Sequence, residues 1–497
     1  MKESLKILKI ALFIFFLAGC NSSPNKEQAK SEKPNILLII TDDQGYADFS
    51  PFEHHSPEIS TPNMNRLAGA GVVFTQAYTT APVCSPSRAG FYTGKNQFRW
   101  DELASWSPGL PESVKTIAEY LKESGYATAQ IGKADFGSNY HQFDVREYPL
   151  NHGYDQFLGF SAHAHDYWLH SKEIAHRTPD PNGSSAHLGP LMKDLGYESY
   201  GEVYLTSIFT NEAIRYLRKK KERPFFLTLS YNSVHHVIHE VPREYLDKYN
   251  VEPIHNYDPD SLETFGNLKP GSYSAYYEKY TRLGAIQDEE MRRYYLANLN
   301  CLDDHIGKVL DALKKEKLEK ETLIIYISDN GGSPITGACN APLSAGKYSL
   351  WEGGIRVPMA LIWPGKVKAG TVENRYVSST DILPTIAEAA GIALSDENID
   401  GISLLKPDTE RLMVWRWGDT WAVRKGDWKL TNTNEMSGKG RPSRYYIKPI
   451  SNDKSMKLFN LKTDPGERNN LSEQRPGKVQ ELKQDYENWR LQNSGEF

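Results

Sequence analysis

Acidic, amide and basic side chains recur in this chain directly after apolar stretches. Asp42 and Asp43 come after one such stretch, and Asp329 and Asn330 come after another. Their carboxylate and amide oxygens are hard ligands, which favour Ca²⁺ or Mg²⁺ over zinc. Lys133 ends a third stretch, and its ammonium group is a point charge that can bind an anion. These residue types therefore indicate one divalent metal ion beside an anionic substrate.

The stretches that carry these residues predict a doubly wound α/β sheet, mostly parallel and flanked by helices. Five continuous apolar runs have strand length and suit strands that are covered on both faces, at 35–40, 127–131, 225–230, 323–328 and 359–363. Helical patterns lie between them, as in a chain that alternates strands and helices. Ligands bind beyond the carboxyl ends of the strands in such sheets. We therefore expect the polar groups to meet at one edge, with His235 and His236 among them.

The pattern changes after residue 404 to short strands, turns and a closing amphipathic helix. We divide the chain into a signal segment (1–19), a flexible tether (20–34), a catalytic α/β domain (35–404) and a smaller antiparallel subdomain with a helix (405–497). Within the α/β domain two segments predict helices. One is 111–126, with a glycine near its end, and the other is 379–391, with Ser379 and Thr380 as candidate caps.

Composition narrows the possible functions. The 497 residues are 39% hydrophobic and 24% charged, with a net charge of -5. This balance argues against a protein that holds nucleic acid by bulk charge, so we expect a local cluster to meet an anionic substrate. Four cysteines in a chain of this length exclude a dense disulfide framework.

The N-terminus has the layout of a secretory signal. Basic residues lead into an apolar run that is short for a transmembrane helix and ends at Leu17-Ala18-Gly19-Cys20. This end resembles a bacterial lipobox, which implies cleavage before Cys20 and acylation of its sulfur. A plain signal peptide is the alternative. Acylation would attach the protein to a membrane of the cell envelope, in the periplasm or at the outer-membrane surface.

The most specific segment is Cys84-Ser85-Pro86-Ser87-Arg88. It matches the C-x-P-S-R signature of the sulfatase family, within the alkaline phosphatase-like superfamily. The resemblance extends in order through PNILLIITDDQG, Gly132-Lys133, Val234-His235, SDNGG, Gly346-Lys347, GGIRVP and LFNLKTDPGERNNLSE. It covers most of the chain after the tether, and the chain resembles bacterial glycan sulfatase lipoproteins.

This resemblance implies hydrolysis of sulfate monoesters, with a sulfated oligosaccharide as the expected substrate. A maturation enzyme would oxidise Cys84 to formylglycine (3-oxoalanine). One hydroxyl of the hydrated aldehyde would attack sulfur, and the second would then expel sulfate. One Ca²⁺ ion, or Mg²⁺, would be held by residue 84 together with Asp42, Asp43, Asp329 and Asn330.

The other residues expected in the site are Arg88, Lys133, Lys347 and His235. Arg88 would hold the nucleophilic oxygen, and the two lysines would bind sulfate oxygens. His235 is the candidate general acid, because an ordinary histidine pKa suits that role. The family often has Pro-His-x-Pro where this chain has Val-His-His-Val, so His236 and His239 compete with His235.

One departure from the family concerns the lysine strand. The family often has Lys-x-His, whereas this chain has Lys133-Ala134-Asp135. Asp135 can accept a hydrogen bond but is a poor cation. His163 or His165 could supply the missing imidazole, and the sequence leaves this open.

Two other functions compete with sulfate ester hydrolysis. A phosphate mono- or diesterase of the same superfamily would usually present serine or threonine and two zinc ions, which the cysteine signature disfavours. A glycan-binding lipoprotein without activity is indicated only by Asp135. The ratio of turnover on sulfate and phosphate esters separates the first, and binding without sulfate release would support the second.

Overall fold

A computed structural model describes the residues in the ranges 33–100, 109–136, 143–168, 186–187, 190–198, 200–201, 203–219, 222–254, 279–280, 286, 288–395, 398–407, 410–434, 445–451 and 453–493. The predicted signal segment and Cys20 lie outside these residues, so their assignment stays a prediction.

The described residues contain sixteen strands. They are β1 (Asn35–Thr41), β2 (Val72–Tyr78), β3 (Ala127–Lys133), β4 (Gln156–Phe160), β5 (Ala164–His165), β6 (Ala186–His187), β7 (Leu191–Lys193), β8 (Gly196–Glu198), β9 (Phe225–Ser230), β10 (Thr322–Ser328), β11 (Arg356–Ile362), β12 (Thr371–Ser378), β13 (Leu412–Trp417), β14 (Thr420–Lys425), β15 (Trp428–Thr431) and β16 (Lys457–Asn460).

The α-helices of the described part are α1 (Pro62–Gly69), α2 (Cys84–Thr93), α3 (Ile117–Glu123), α4 (Leu205–Arg218), α5 (Arg243–Lys248), α6 (Asp288–Lys315), α7 (Glu352–Ile355), α8 (Ile382–Ala390) and α9 (Pro476–Asn493). Short 3₁₀ helices lie at Tyr46–Asp48, Gln97–Arg99, Pro149–His152, Glu319–Glu321, Pro334–Thr336 and Ser379–Asp381. Within these ranges no helix has the length and apolar character needed to cross a bilayer.

The predicted helices are shorter than their sequence patterns. In the segment 111–126 only α3 is helical, and Thr116 caps it through a capping box with Glu119. In the segment 379–391 the α-helix begins at Ile382, after a 3₁₀ turn that is capped by the side chain of Ser378. The cap candidates Ser379 and Thr380 were therefore wrong by one or two residues, because the helix enters through that tighter turn.

Ten strands form one mixed sheet, in the order β12-β2-β11-β10-β1-β9-β3-β4-β7-β8. The central strands β10, β1, β9, β3 and β4 are mutually parallel, which confirms the doubly wound, mostly parallel prediction. The apolar run at 359–363 lies largely in β11, which is antiparallel to both neighbours. It does not match the expected parallel strand, because burial on both faces makes a strand apolar whichever way it runs.

Alternate residues of β1 enter two cores on opposite faces of the sheet. Leu37 and Ile39 pack in a cluster with residues of α4 and α6. Ile36, Leu38 and Ile40 pack in a second cluster with residues of α2, α3 and α8. The large sheet is therefore the middle layer of three, which is why its central strands are apolar throughout.

A second sheet of four antiparallel strands, β13-β14-β15-β16, lies in the C-terminal part of the chain. Helix α9 packs on it, with Trp421 stacked on Tyr486 at 4.1 Å between ring centroids. The Trp415 indole N–H donates to the carbonyl of Thr79, at the end of β2, over 2.7 Å. This contact attaches the small sheet to the large one.

Candidate active site

Four adjacent parallel strands end level at one edge of the large sheet. Thr41 of β1 pairs with Ser328 of β10, while Ser230 of β9 pairs with Ile40 on one side and Gly132 of β3 on the other. The residues at or just after these strand ends include Asp42, Asp43, Lys133, His235, His236, Asp329 and Asn330. The sheet therefore brings together groups that are up to about 300 residues apart.

The acidic and amide groups form a buried cluster. The backbone N–H of Asp43 donates to Asp329 Oδ1 over 3.2 Å, and Asn330 Nδ2 donates to Asp43 Oδ1 over 2.7 Å. Burial raises the pKa of Asp42 and of Asp43. Burial would also raise the pKa of Asp329, but the nearby cations, led by Arg88, hold it below its ordinary value.

Cys84 is the first residue of α2, and its side chain points into this cluster. Its Sγ lies 3.6 Å from Asp42 Oδ1 and 3.2 Å from Lys347 Nζ. The thiol is buried, and that burial raises its pKa. An unmodified Cys84 is therefore held as a thiol, which is a poor nucleophile compared with a thiolate.

Arg88 lies one helical turn after Cys84, so that both side chains leave the same face of α2. Its guanidinium is fully buried and makes two 2.9 Å contacts with Asp329 Oδ2, from Nε and Nη2. Nη1 donates to the carbonyl of Lys133 and to Ser230 Oγ, over 3.1 and 2.8 Å. Arg88 therefore ties the helix to the ends of β10, β3 and β9.

Two buried lysines contact different carboxylates of the cluster. Lys133 Nζ lies 2.8 Å from Asp42 Oδ2, and Lys347 Nζ lies 2.7 and 2.9 Å from the two oxygens of Asp43. Burial alone would lower the pKa of both lysines, but the neighbouring carboxylates raise it above the ordinary value. Both are therefore fixed positive charges at neutral pH.

The predicted histidines occupy different environments. His235 Nε2 lies 3.8 Å from Asp43 Oδ2, and the His236 ring packs edge-on against it at 4.2 Å. The rings of Tyr280 and Tyr294 pack against His239 instead. Burial, followed by the charges of His236 and Lys347, lowers the pKa of His235 well below 6.5. The expectation that His235 has an ordinary pKa is therefore wrong, because its ring is buried.

Asp135 contacts His163 as well as Lys133. His163 Nδ1 lies 2.6 Å from Asp135 Oδ1, and Ser85 Oγ donates to the same oxygen over 2.7 Å. Asp135 Oδ2 lies 3.1 Å from Lys133 Nζ. His165 Nδ1 instead lies 2.7 Å from the carbonyl of Asp166, and its ring packs on Phe160. Of the two histidines that the sequence left open, His163 is the one in contact with Asp135.

Sequence reasoning did not single out Ser85, Ser87 or Ser230 as parts of the site. Ser230 accepts a hydrogen bond from Arg88, and Ser87 Oγ donates to the carbonyl of Asp329 over 2.5 Å. Position within the signature could have indicated Ser85 and Ser87. The place of Ser230 at the end of a central strand is the signal for that residue, by the same rule that indicated Lys133.

The side chains present fit a hard divalent cation. Asp42, Asp43, Cys84 and His235 each place one ligand atom within 4.8 Å of the others. The buried Asn330 Oδ1 has no hydrogen-bond partner among the described residues, although its Nδ2 is bonded. A buried amide oxygen without a partner is costly unless it meets a cation, and oxygen ligands are those that Ca²⁺ and Mg²⁺ prefer.

Comparison with known proteins finds two family models and several relatives that match this chain. The model of the family described as "Sulfatase" matches residues 34–392, and the model "N-sulphoglucosamine sulphohydrolase, C-terminal" matches residues 346–492. Arylsulfatase J of Mus musculus is 29% identical, over 94% of this chain and 77% of that protein. N-acetylgalactosamine-6-sulfatase of Canis lupus familiaris is 29% identical, over 89% of this chain and 82% of that protein.

Solved structures share the fold. The crystal structure of "Ps i-CgsB in complex with k-i-k-neocarrahexaose" superposes with a TM-score of 0.73 at 28% identity, covering 93% of each chain. The structure of "PsFucS1 sulfatase from Pseudoalteromonas sp." superposes with a TM-score of 0.65 at 22% identity, covering 94% of this chain and 92% of the other. The second likeness concerns the fold alone.

Proposed function

This chain belongs to the sulfatase family and hydrolyses sulfate esters, and we propose that it does so at the buried cluster around Cys84. The observation that carries this assignment is the position of Cys84 Sγ, 3.2 Å from Lys347 Nζ and 3.6 Å from Asp42 Oδ1. A reactive group at residue 84 therefore stands between a fixed cation and a candidate metal ligand.

The test of the site is sulfate release by the Cys84→Ala variant. We expect this variant to lose sulfatase activity, because the group that attacks sulfur would be absent. Cys339→Ala is the matched control, since Cys339 is also a buried free cysteine and is not part of the proposed site. Wild-type sulfate release by Cys84→Ala would refute the assignment of the site.

The proposed nucleophile is formylglycine, formed from Cys84 by a maturation enzyme. When present, this group supplies an oxygen nucleophile in place of a thiol. The raised thiol pKa supports the proposal, because an unmodified Cys84 would be largely protonated at neutral pH. Peptide mass spectrometry of active protein should find an aldehyde oxygen in place of the sulfur. Full activity with only unmodified cysteine would contradict the proposal.

The proposed metal ligands are Asp42, Asp43, Asp329 and Asn330, together with the modified residue 84. A Ca²⁺ ion, or Mg²⁺, would act there as a Lewis acid toward the nucleophile and a sulfate oxygen. The orphaned Asn330 Oδ1 and the carboxylate oxygens support a hard cation.

The remaining roles belong to fixed charges and to an imidazole. We assign Lys133 and Lys347 to the sulfate oxygens and Arg88 to orientation of residue 84, because preorganised cations stabilise the charge that develops in the transition state. His235 remains the proposed proton donor to the leaving oxygen. Its lowered pKa makes it neutral at pH 7, so the negative charge of the bound substrate must favour its protonation.

The proposed substrate is a sulfated carbohydrate. One relative is named N-acetylgalactosamine-6-sulfatase, and one similar structure is a complex with k-i-k-neocarrahexaose. Free sulfate should be measured over a panel of sulfated mono- and oligosaccharides, an aryl sulfate and the matching phosphate esters. Turnover of the phosphate esters above all sulfate esters would favour the phosphatase alternative, and turnover of the aryl sulfate alone would contradict a carbohydrate substrate.

We also propose that the protein is a lipid-anchored lipoprotein of the cell envelope. The support is the sequence Leu17-Ala18-Gly19-Cys20 after a short apolar run. A tether of polar residues follows and would separate the folded part from the membrane.

A further inference from the structure

The loop that carries Lys347 is bound to the active-site edge through its backbone. The N–H of Lys347 donates to the carbonyl of Gly332 over 3.1 Å, and the N–H of Tyr348 donates to the carbonyl of Pro82 over 3.0 Å. Pro82 lies two residues before Cys84. The position of this backbone therefore sets where the Lys347 ammonium stands relative to the sulfur of Cys84.

The far end of the same loop is bound to the C-terminal part of the chain. Lys429 Nζ, from β15, donates to the carbonyl of Leu350 over 2.8 Å, and the N–H of Leu350 donates to Thr433 Oγ1 over 3.2 Å. The N–H of Glu352 donates to Glu467 Oε2 over 2.7 Å. Both backbone groups of Leu350 and the first N–H of α7 are thus satisfied by side chains from beyond residue 428.

These side chains form a buried ion cluster. Lys429 Nζ lies 2.9 Å from Glu352 Oε1 and 2.8 Å from Glu467 Oε1, and all three side chains are fully buried. The hydroxyl of Tyr78, at the end of β2, also donates to Glu352. Removing Lys429 would take away the cation that these two buried carboxylates share, although Arg356 Nη1 would still lie 3.6 Å from Glu352, and breaking such a buried pair is destabilising.

A buried ion cluster of this kind is a costly way to stabilise a fold. Apolar side chains of similar volume often stabilise as well or better, because no charge has to be desolvated. The cluster instead fixes the position of the groups to which it is hydrogen-bonded. Charge-assisted hydrogen bonds of 2.8 and 2.7 Å hold the backbone at residues 350 and 352 in one position.

We propose that Lys429 and Glu467 are positioning residues for Lys347. They hold the backbone from Leu350 to Glu352, and this backbone holds the Lys347 ammonium against Asp43 and Cys84. The small C-terminal sheet, through Lys429, thereby helps to position Lys347, one of the cations that we assign to the sulfate oxygens at the edge of the large sheet. The inference rests on the proposed function, because it gives Lys347 a role in sulfate ester hydrolysis.

The experiment measures kcat and KM on one sulfate ester for Lys429→Met, Glu467→Leu and Glu467→Gln. We expect kcat/KM to fall between about 10- and 100-fold for Lys429→Met and Glu467→Leu, since small displacements of a catalytic group have effects of this size. Glu467→Gln keeps an oxygen that can accept from the N–H of Glu352, so it should recover most of the loss seen in Glu467→Leu.

Two further variants separate positioning from general destabilisation. Arg411→Met breaks a partly buried pair with Asp381 just before β13, outside the Lys347 loop, and should lower the thermal midpoint with kcat/KM within twofold of wild type. Thr433→Val removes one acceptor from Leu350 with little change of shape. It should fold and lower kcat/KM at least threefold, and it replaces the larger substitutions if those do not fold.

If Lys429 acts by positioning Lys347, the loss of kcat/KM caused by Lys429→Met should depend on the presence of Lys347. In a Lys347→Ala background, the added loss from Lys429→Met, or from Thr433→Val in its place, should fall below twofold. Equal losses in both backgrounds, or unchanged kcat/KM in the folded single variants, would overturn the inference. A fully active Cys84→Ala variant would instead overturn the proposed site itself, so the two failures are distinguishable.

Discussion

The buried pair of Arg88 and Asp329 joins α2 to the end of β10, and replacing Arg88 with methionine should destabilise the fold strongly. The substitution removes two 2.9 Å contacts to Asp329 and the donors to Ser230 and to the carbonyl of Lys133. Breaking a fully buried ion pair costs about 3 to 5 kcal/mol, because the remaining charge is uncompensated. The backbone N–H of Asp43 and the nearby lysines still favour the Asp329 carboxylate, so we expect the lower half of this range.

The assay is the free energy of unfolding, from urea transitions at pH 7 and one fixed metal concentration. Arg66→Met is the matched control, since Arg66 Nη1 also lies 2.9 Å from an aspartate, Asp311, but the two side chains are 47% and 68% exposed. Solvent screening should limit that loss to less than about 1 kcal/mol. The reasoning fails if Arg88→Met costs no more than Arg66→Met.

Three other results are expected. Chelation should abolish sulfate release, and Ca²⁺ or Mg²⁺ should restore it; full activity of protein shown to be metal-free would refute the proposed metal site. Burial lowers the pKa of His152 to about 3, whereas the ordinary value of 6.5 applies in the unfolded chain. Below pH 6.5 the unfolded chain therefore binds a proton at His152 that the folded chain does not, so the free energy of unfolding is highest above pH 6.5 and falls as the pH drops toward 3. Between pH 7 and pH 5 this loss is about 2 kcal/mol, measured as the difference in the urea-derived unfolding free energy between wild type and His152→Asn; equal pH slopes would contradict it. Cys20→Ala should move the protein from the membrane fraction to the soluble fraction of its native host, and unchanged membrane association would rule out the lipid anchor.

Several structural features follow directly from local sequence. The apolar run at 225–230 predicts a strand, and β9 has the same bounds. The prediction succeeds because a strand covered on both faces is apolar at every position. The rule that ligands bind at the carboxyl ends of such strands also predicts which polar residues share an edge.

The outcome at Asp135 shows where local sequence stops being informative. The sequence indicates that Asp135 stands where the family often has histidine, and it names His163 or His165 for the missing imidazole, with His165 among the predicted accessory residues. The two histidines are two residues apart in the same short segment. Only the path of the chain after β4 brings His163 to Asp135 and turns His165 toward the carbonyl of Asp166.

By itself the sequence determined the sulfatase family and the α/β class, and it predicted the residue types of the proposed site. These depend on patterns within short segments, where side-chain polarity and spacing act directly. The tertiary structure alone decided that β11 is antiparallel. It also placed Lys347 Nζ 3.2 Å from the sulfur of Cys84, which is 263 residues away in the chain, and Lys429 Nζ at the carbonyl of Leu350. Strands pair through backbone groups that nearly all residues share, so local sequence does not specify which strand lies beside which. Contacts between distant loops are settled only when the packed cores fix the order of the strands.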